Sequence, residues 1–153
     1  MYSVFTQISD EISDQTGMHL DSRAGRLLKQ ALPREFVWTL TDVRVGDDEG
    51  PGRATLLALE STSRALFRVL MTREGRGQWK LRFERRVIDP ADTTVTLHDV
   101  GHLPSGSALE ASQRTWIFAR RDDFSVAIKP EKDRDEEFAR ALAAAAGWTL
   151  NTE

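Results

Sequence analysis

The feature that most constrains the fold is a stretch from Arg64 to Arg86 in which apolar and basic residues alternate. A period of two is typical of β-strands that have one buried and one exposed face. The sequence EGRG interrupts the alternation and predicts a tight connection between two antiparallel strands. The stretch therefore predicts a β-hairpin whose inward, core-forming residues are Ala65, Phe67, Val69, Met71, Trp79, Leu81 and Phe83.

The outward side of this hairpin is basic and forms the predicted binding surface. Residues 64–86 contain eight basic and two acidic residues, whereas the net charge of the whole chain is −3. A basic patch on an otherwise acidic protein can attract an anionic partner. A solvated strand face without a binding role is the alternative interpretation. The predicted binding residues are Arg64, Arg68, Lys80, Arg82 and Arg86.

The alternation leaves the pairing register of the hairpin open, and the register decides whether the basic face is electrically balanced. If Arg73 pairs with Gly77, Arg68 lies opposite Arg82, and opposed like charges destabilise a sheet. An anion or an acidic partner would then be a natural counter-charge. If the pairing shifts by two residues, Arg68 lies opposite Glu84 instead. Both registers keep the apolar residues on the inner face, so the pattern alone does not choose between them.

The rest of the chain predicts an α+β fold in a single domain, residues 1–153. Apolar residues at helical spacing predict helices within residues 1–33. Residues 35–129 contain about seven strand-like segments with short connections, which is typical of an antiparallel meander sheet or an open barrel. An amphipathic helix is expected over residues 133–147. Seven strands followed by a helix also describe a pleckstrin-homology-like barrel, an analogy that concerns topology only.

Local signals predict where the helices begin and end. Gly17 ends the first helix, and Asp21 or Ser22 caps the second. Asp133 and Glu136 have the spacing of a capping box at the start of the last helix.

The sequence offers little support for catalysis. The chain has no cysteine, which excludes disulfides, thiolate nucleophiles and cysteine metal sites. It contains no phosphate-binding loop, dinucleotide fingerprint or nucleophile elbow. His98 and His102 are four residues apart in a predicted strand, where they would be roughly 13 Å apart and too distant for one metal ion. We therefore predict neither a metal nor a cofactor, although a site built from scattered residues such as Asp92, His98 and His102 stays an alternative.

The expected location is cytoplasmic. The first residues lack the basic region and the apolar run of a signal peptide, and no segment has the apolar length that spans a bilayer. We therefore expect no association with a membrane. Arginine strongly outnumbers lysine, which suggests a bacterial genome rich in GC.

Three functions are compatible with these patterns. The leading hypothesis is a non-catalytic cytosolic binding or regulatory module that acts through a partner protein with an acidic surface, as immunity proteins, small chaperones and adaptors do. The first alternative is a binder of a phosphorylated ligand or nucleic acid through the arginine-rich strand face. It is weaker because single-stranded nucleic acids stack on several rings, and the hairpin rings are expected on the opposite face. The second alternative is an enzyme that uses scattered Asp and His residues.

Overall fold

The computed structural model describes residues 3–46, 51–73, 78–99, 114–120 and 124–147. None of the three described helices has the length and apolar character needed to cross a membrane. In chain order, the helices and strands are α1 (Val4–Thr16), α2 (Ser22–Ala31), β1 (Val37–Arg44), β2 (Gly52–Glu60), β3 (Ala65–Arg73), β4 (Lys80–Val87), β5 (Thr93–Asp99), β6 (Arg114–Arg120), β7 (Ser125–Ile128) and α3 (Asp133–Ala145).

The seven strands form two antiparallel sheets, with strand orders β1-β2-β3-β4 and β5-β6-β7. Within each sheet, every strand lies beside its neighbour in the sequence, as expected for a meander. The predicted α+β class, the antiparallel strands and the helices at both ends are confirmed. The strands divide into sheets of four and three and do not close into a barrel.

Capping side chains and a glycine fix the ends of the first two helices. Ser3 Oγ accepts a hydrogen bond from the backbone N–H of Thr6 at the start of α1. Gly17 ends α1 with a φ of 73°, a left-handed conformation that glycine adopts without steric strain. Asp21, one of the two residues predicted to cap α2, accepts a hydrogen bond from the backbone N–H of Ala24.

Two contacts identify the register between β3 and β4. The backbone N–H of Ile88 donates to the carbonyl oxygen of Arg64 over 2.8 Å. Arg68, four residues after Arg64, forms an ion pair with Glu84, four residues before Ile88. In an antiparallel pair, the residue numbers of two opposed residues always add up to the same sum. The two contacts give the same sum, so they indicate the same register. The hairpin therefore adopts the second of the two expected registers, in which Arg68 lies opposite Glu84.

The chain divides into two compact units, and each of the first four strands contributes residues to both. The first unit contains residues 1–35, 40–58 and 67–85, and the second contains residues 36–39, 59–66 and 86–153. Because the same strands serve both units, this division leaves the single domain of residues 1–153 a prediction.

The first unit contains six of the predicted inner-face residues of the hairpin and confirms half of them as core residues, while Phe67 and Leu81 are only half-buried. Val69, Met71 and Trp79 are buried. Phe83 was predicted to be in the core, but the side chain is 38 % exposed, so this prediction is wrong. β4 is the outer strand of its sheet, where a residue has a neighbouring strand on one side only.

The core of the second unit combines alternating residues of β6 and β7 with one face of α3. Trp116 lies opposite Ile128 in the ladder, and Phe118 lies opposite Val126. All four side chains are buried, as alternation in a sheet with one covered face requires. The face of α3 that carries Phe138 and Leu142 is also buried, as the helical spacing predicted.

The start of α3 differs from the predicted capping box. The residue that precedes the helix is Lys132, and the carboxylate that reaches back to the backbone belongs to Asp135. Asp135 Oδ2 accepts hydrogen bonds from the N–H groups of Glu131 and Lys132, both over 3.2 Å. The prediction that Asp133 and Glu136 form the box is wrong, because the helix begins at Asp133 and its third residue is Asp135.

Candidate functional site on the outer strand

The outer strand β4 carries most of the predicted binding residues that lie in the first unit. Alternate residues of a strand share a face, so Lys80, Arg82 and Glu84 lie on one side of β4. Arg68 lies on the same side of the adjacent strand, opposite Glu84. The structure thus brings together three of the five predicted binding residues and one carboxylate.

The Arg68 guanidinium is engaged within the sheet. Its Nη2 and Nε lie 2.6 and 3.1 Å from Oε2 of Glu84. The two side chains are only 24 % and 16 % exposed. Hydrogen bonds between charged groups are among the strongest in proteins, and partial burial reduces their screening by water. Arg68 is therefore a structural counter-ion of Glu84, which makes it a weaker candidate for contact with a partner.

Arg82 and Lys80 present their charges to solvent. The Arg82 side chain is 77 % exposed, and its Nε is 3.9 Å from Oε1 of Glu84, at the outer limit of an ion pair. Such an exposed pair contributes little to stability. Lys80 is exposed as well. These two cations form the accessible part of the predicted binding surface in the first unit.

The other two predicted binding residues belong to the second unit. Arg64 ends the turn that precedes β3 and has a φ of 57°, which is uncommon for a residue other than glycine. The guanidinium carbon of Arg86 lies 5.6 Å from the centre of the Phe124 ring, within the range of a cation–π interaction. The structure therefore places Arg64 in a turn and Arg86 over an aromatic ring.

The opposite side of β4 holds a cation that sequence reasoning had not selected. Arg85 follows the same alternation as Leu81 and Phe83. Its guanidinium carbon lies 5.8 Å from the centre of the Phe67 ring on the adjacent strand. The sequence shows this arginine within an apolar face, which is itself a signal that this face of β4 reaches solvent.

Two of the three residues named for an enzyme site lie outside the part of the chain whose side chains the structure describes, so this site stays a prediction. The backbone N–H of Asp92 donates to the carbonyl oxygen of Asp89 in the turn after β4. His98 lies on β5, but its side chain is outside the described part, and so is His102. Among the described residues, no group of three or more His, Cys, Asp or Glu side chains could hold a metal ion.

A cleft of about 430 Å³ lies between α1 and α2. Its lining includes Phe5 and Leu20 as apolar residues and Asp10, Arg26 and Lys29 as charged residues. None of the five predicted binding residues lines it. With charges of both signs, the cleft favours no particular class of ligand.

Comparison with known proteins gives no independent indication of function, because no family model, curated protein or solved structure matches this chain. The geometry of β4 is therefore the principal indication of function.

The unequal roles of Arg68 and Arg82 can be tested by removing each side chain. We expect Arg68→Ala to lower the free energy of unfolding by about 1–3 kcal/mol, because it leaves the half-buried Glu84 carboxylate without its counter-ion. Arg82→Ala makes the same change on the same face and should alter the free energy of unfolding by less than about 0.5 kcal/mol. Urea denaturation of both variants measures the difference. Equal losses would show that Arg68 does not hold Glu84 as described.

Proposed function

We propose that this chain is a non-catalytic binding module that acts through a partner protein with an acidic surface, which it contacts along β4. The observation that carries the proposal is the imbalance of charge on this strand. Glu84 is the only carboxylate between Lys80 and Arg85, and Arg68 already neutralises it. Lys80 and Arg82 therefore remain as accessible cations beside a balanced pair.

The same geometry argues against nucleic acid as the main partner. Single-stranded nucleic acids bind where aromatic rings accompany the cations on one face. Phe83 alternates with Lys80 and Arg82 and so lies on the other side of β4. The Glu84 carboxylate also lies among the cations and would repel a phosphate backbone. An acidic protein can instead place its carboxylates beside the cations and a neutral residue beside Glu84.

The proposal can be tested by reversing the charge of the two accessible cations. The probe, called the Glu/Val peptide, is a fluorescein-labelled peptide in which valine alternates with two glutamates, meant for Lys80 and Arg82, and one glutamine, meant for Glu84. Its binding is measured by fluorescence anisotropy. We expect Lys80→Glu combined with Arg82→Glu to weaken binding at least about tenfold, through loss of attraction and new repulsion. The matched control combines Arg23→Glu with Arg26→Glu, which makes the same change of charge at two exposed residues of α2 that are not predicted binding residues, and it should leave affinity within about twofold.

Two results would contradict the proposal. One is equal affinity of the peptide for the protein and for the Lys80/Arg82 variant. The other is tighter binding of a labelled oligothymidine of matched length, with affinity that falls steeply as salt rises, which would identify a nucleic-acid binder. The cytoplasmic location and the bacterial origin expected from the sequence stay predictions.

A further inference from the structure

We infer that β4 accepts an extended segment of the acidic partner as an additional strand along its outer edge. This inference rests on the proposed function and specifies how the partner is recognised. β4 is the last strand in the order β1-β2-β3-β4, so within the described residues only β3 pairs with it. An edge strand presents backbone N–H and C=O groups that can pair with another chain.

The register identifies which backbone groups of β4 face outward. In an antiparallel ladder, residue pairs that exchange hydrogen bonds alternate with pairs that do not. The bond from Ile88 N–H to Arg64 O marks one bonded pair, so the even-numbered residues of β4 bond to β3. The odd-numbered residues then direct their N–H and C=O groups away from β3. Leu81, Phe83 and Arg85 therefore offer three consecutive outward positions for pairing.

The other edge of this sheet is less suited to strand addition. β1 contains Asp42 with a φ of 52°, a left-handed conformation that interrupts the regular direction of the outward groups. β4 spans eight residues, and none of them has a positive φ. A regular ladder of added hydrogen bonds can therefore form along β4.

The side chains of β4 specify the chemistry of the added strand. Residues directly opposite each other in neighbouring strands share a face. The partner residues opposite Lys80 and Arg82 would thus meet cations, and those opposite Leu81 and Phe83 would meet apolar surface. The partner segment is therefore an extended one in which acidic and apolar residues alternate, with a residue that is not acidic opposite Glu84.

The charges also argue against a second copy of this chain as the added strand. Residues 80–85 carry three cations and one carboxylate, so two such edges would bring like charges together. Charged edges of this kind are a common protection against self-association. Protection alone does not require an exposed Phe83, which instead offers apolar contact to a partner that neutralises the cations.

The decisive variant is Phe83→Pro, which removes one outward N–H without removing a hydrogen bond to β3, since proline is tolerated at such edge positions. Phe83→Ala is the matched control, because it removes the ring but keeps the N–H. With the labelled Glu/Val peptide, we expect affinity to fall at least about tenfold more in the proline variant than in the alanine variant. Equal affinity of the two folded variants would overturn strand addition, while the Lys80/Arg82 test would still decide the proposed function.

Methylation of the peptide's own backbone gives a test that does not depend on folding of the proline variant. One version of the Glu/Val peptide is N-methylated at every valine, and another is N-methylated at every residue that alternates with the valines. In a strand pair, only alternate residues direct their N–H groups at the neighbour, so one methylated peptide should bind and the other should lose at least about tenfold in affinity. Equal effects of the two methylations would overturn the inference. Sedimentation of the protein alone should show a monomer, and a dimer disrupted by Phe83→Pro would show that a second copy occupies the edge.

Discussion

Replacement of Trp79 by alanine is expected to lower the free energy of unfolding by about 3–5 kcal/mol. The side chain is 1 % exposed, so its removal leaves a large cavity in the first unit. The indole Nε1 also donates a hydrogen bond over 2.8 Å to the backbone oxygen of His19, in the segment between α1 and α2. The substitution thus removes both apolar burial and a bond that joins this segment to the start of β4.

The control for this experiment is Phe83→Ala, another change from a large aromatic residue to alanine in the same segment of chain. Because Phe83 is substantially exposed, its loss should lower the free energy of unfolding by less than about 1 kcal/mol. The sequence alone predicts large and similar losses for both residues. Urea denaturation followed by circular dichroism distinguishes the two expectations. Similar losses in the free energy of unfolding would show that Phe83 is a core residue after all.

The contrast between these two residues shows what a pattern of alternation can establish. The period of two identified which side chains of the hairpin share a face, and it identified Trp79 as a core residue correctly. It contained no information about which strand would lie at the edge of the sheet. Exposure of Phe83 depends on what covers that edge, which is a property of the tertiary structure.

The register of the hairpin was also beyond the sequence pattern, since both registers bury the same face. The observed register pairs Arg68 with Glu84 and avoids opposing two arginines. Opposite charges in a cross-strand pair are favourable, so the electrostatic criterion points to the register that the structure adopts. The sequence pattern leaves open whether Arg68 lies opposite Arg82 or Glu84, so it could not exclude Arg68 from the predicted binding residues.

The cap of α3 shows a third limit of prediction from the sequence. Local spacing indicated that a capping box was present but assigned it to the wrong carboxylate. Oδ1 of Asp135 accepts a hydrogen bond over 2.6 Å from the hydroxyl of Thr39, a residue 96 positions away in the sequence. No local pattern contains that contact. It becomes visible only when β1 and α3 are assembled in the second unit.

Asp135 is held by a complete set of hydrogen bonds at the start of α3. Besides the hydroxyl of Thr39 and the two backbone N–H groups at its other oxygen, it accepts a bond from Nη2 of Arg134 over 3.2 Å. The guanidinium of Arg134 lies in turn 3.9 Å from the centre of the Trp38 ring. Asp135 is only 7 % exposed. A carboxylate this well satisfied stabilises the junction of β1 and α3 and has no free lone pair for a ligand.

Replacement of Asp135 by asparagine is therefore expected to lower the free energy of unfolding by about 2–4 kcal/mol near pH 7. The amide loses the negative charge beside Arg134, and its NH₂ group cannot accept the bonds that one carboxylate oxygen accepts. The matched control is Asp133→Asn in the first turn of the same helix. Asp133 is exposed, so this change should lower the free energy of unfolding by only a few tenths of a kcal/mol, through the helix dipole. Equal losses in the two variants would mean that the bonds of Asp135 do not stabilise the fold.

The effect of Asp135→Asn should also depend on pH. Burial raises the pKa of Asp135. The hydrogen bonds from Thr39, Glu131 and Arg134, together with the charge of Arg134, lower this pKa by a larger amount, so it lies below the ordinary value of 3.8. A carboxylate with a lowered pKa in the folded state contributes stability above its unfolded pKa and loses it as pH falls through the folded pKa. The difference in free energy of unfolding between the protein and the variant, called the gap, should thus be constant above about pH 5 and narrow progressively below about pH 4. Urea denaturation across this range measures the gap, and a gap that widens on acidification would show that the folded-state pKa is raised instead.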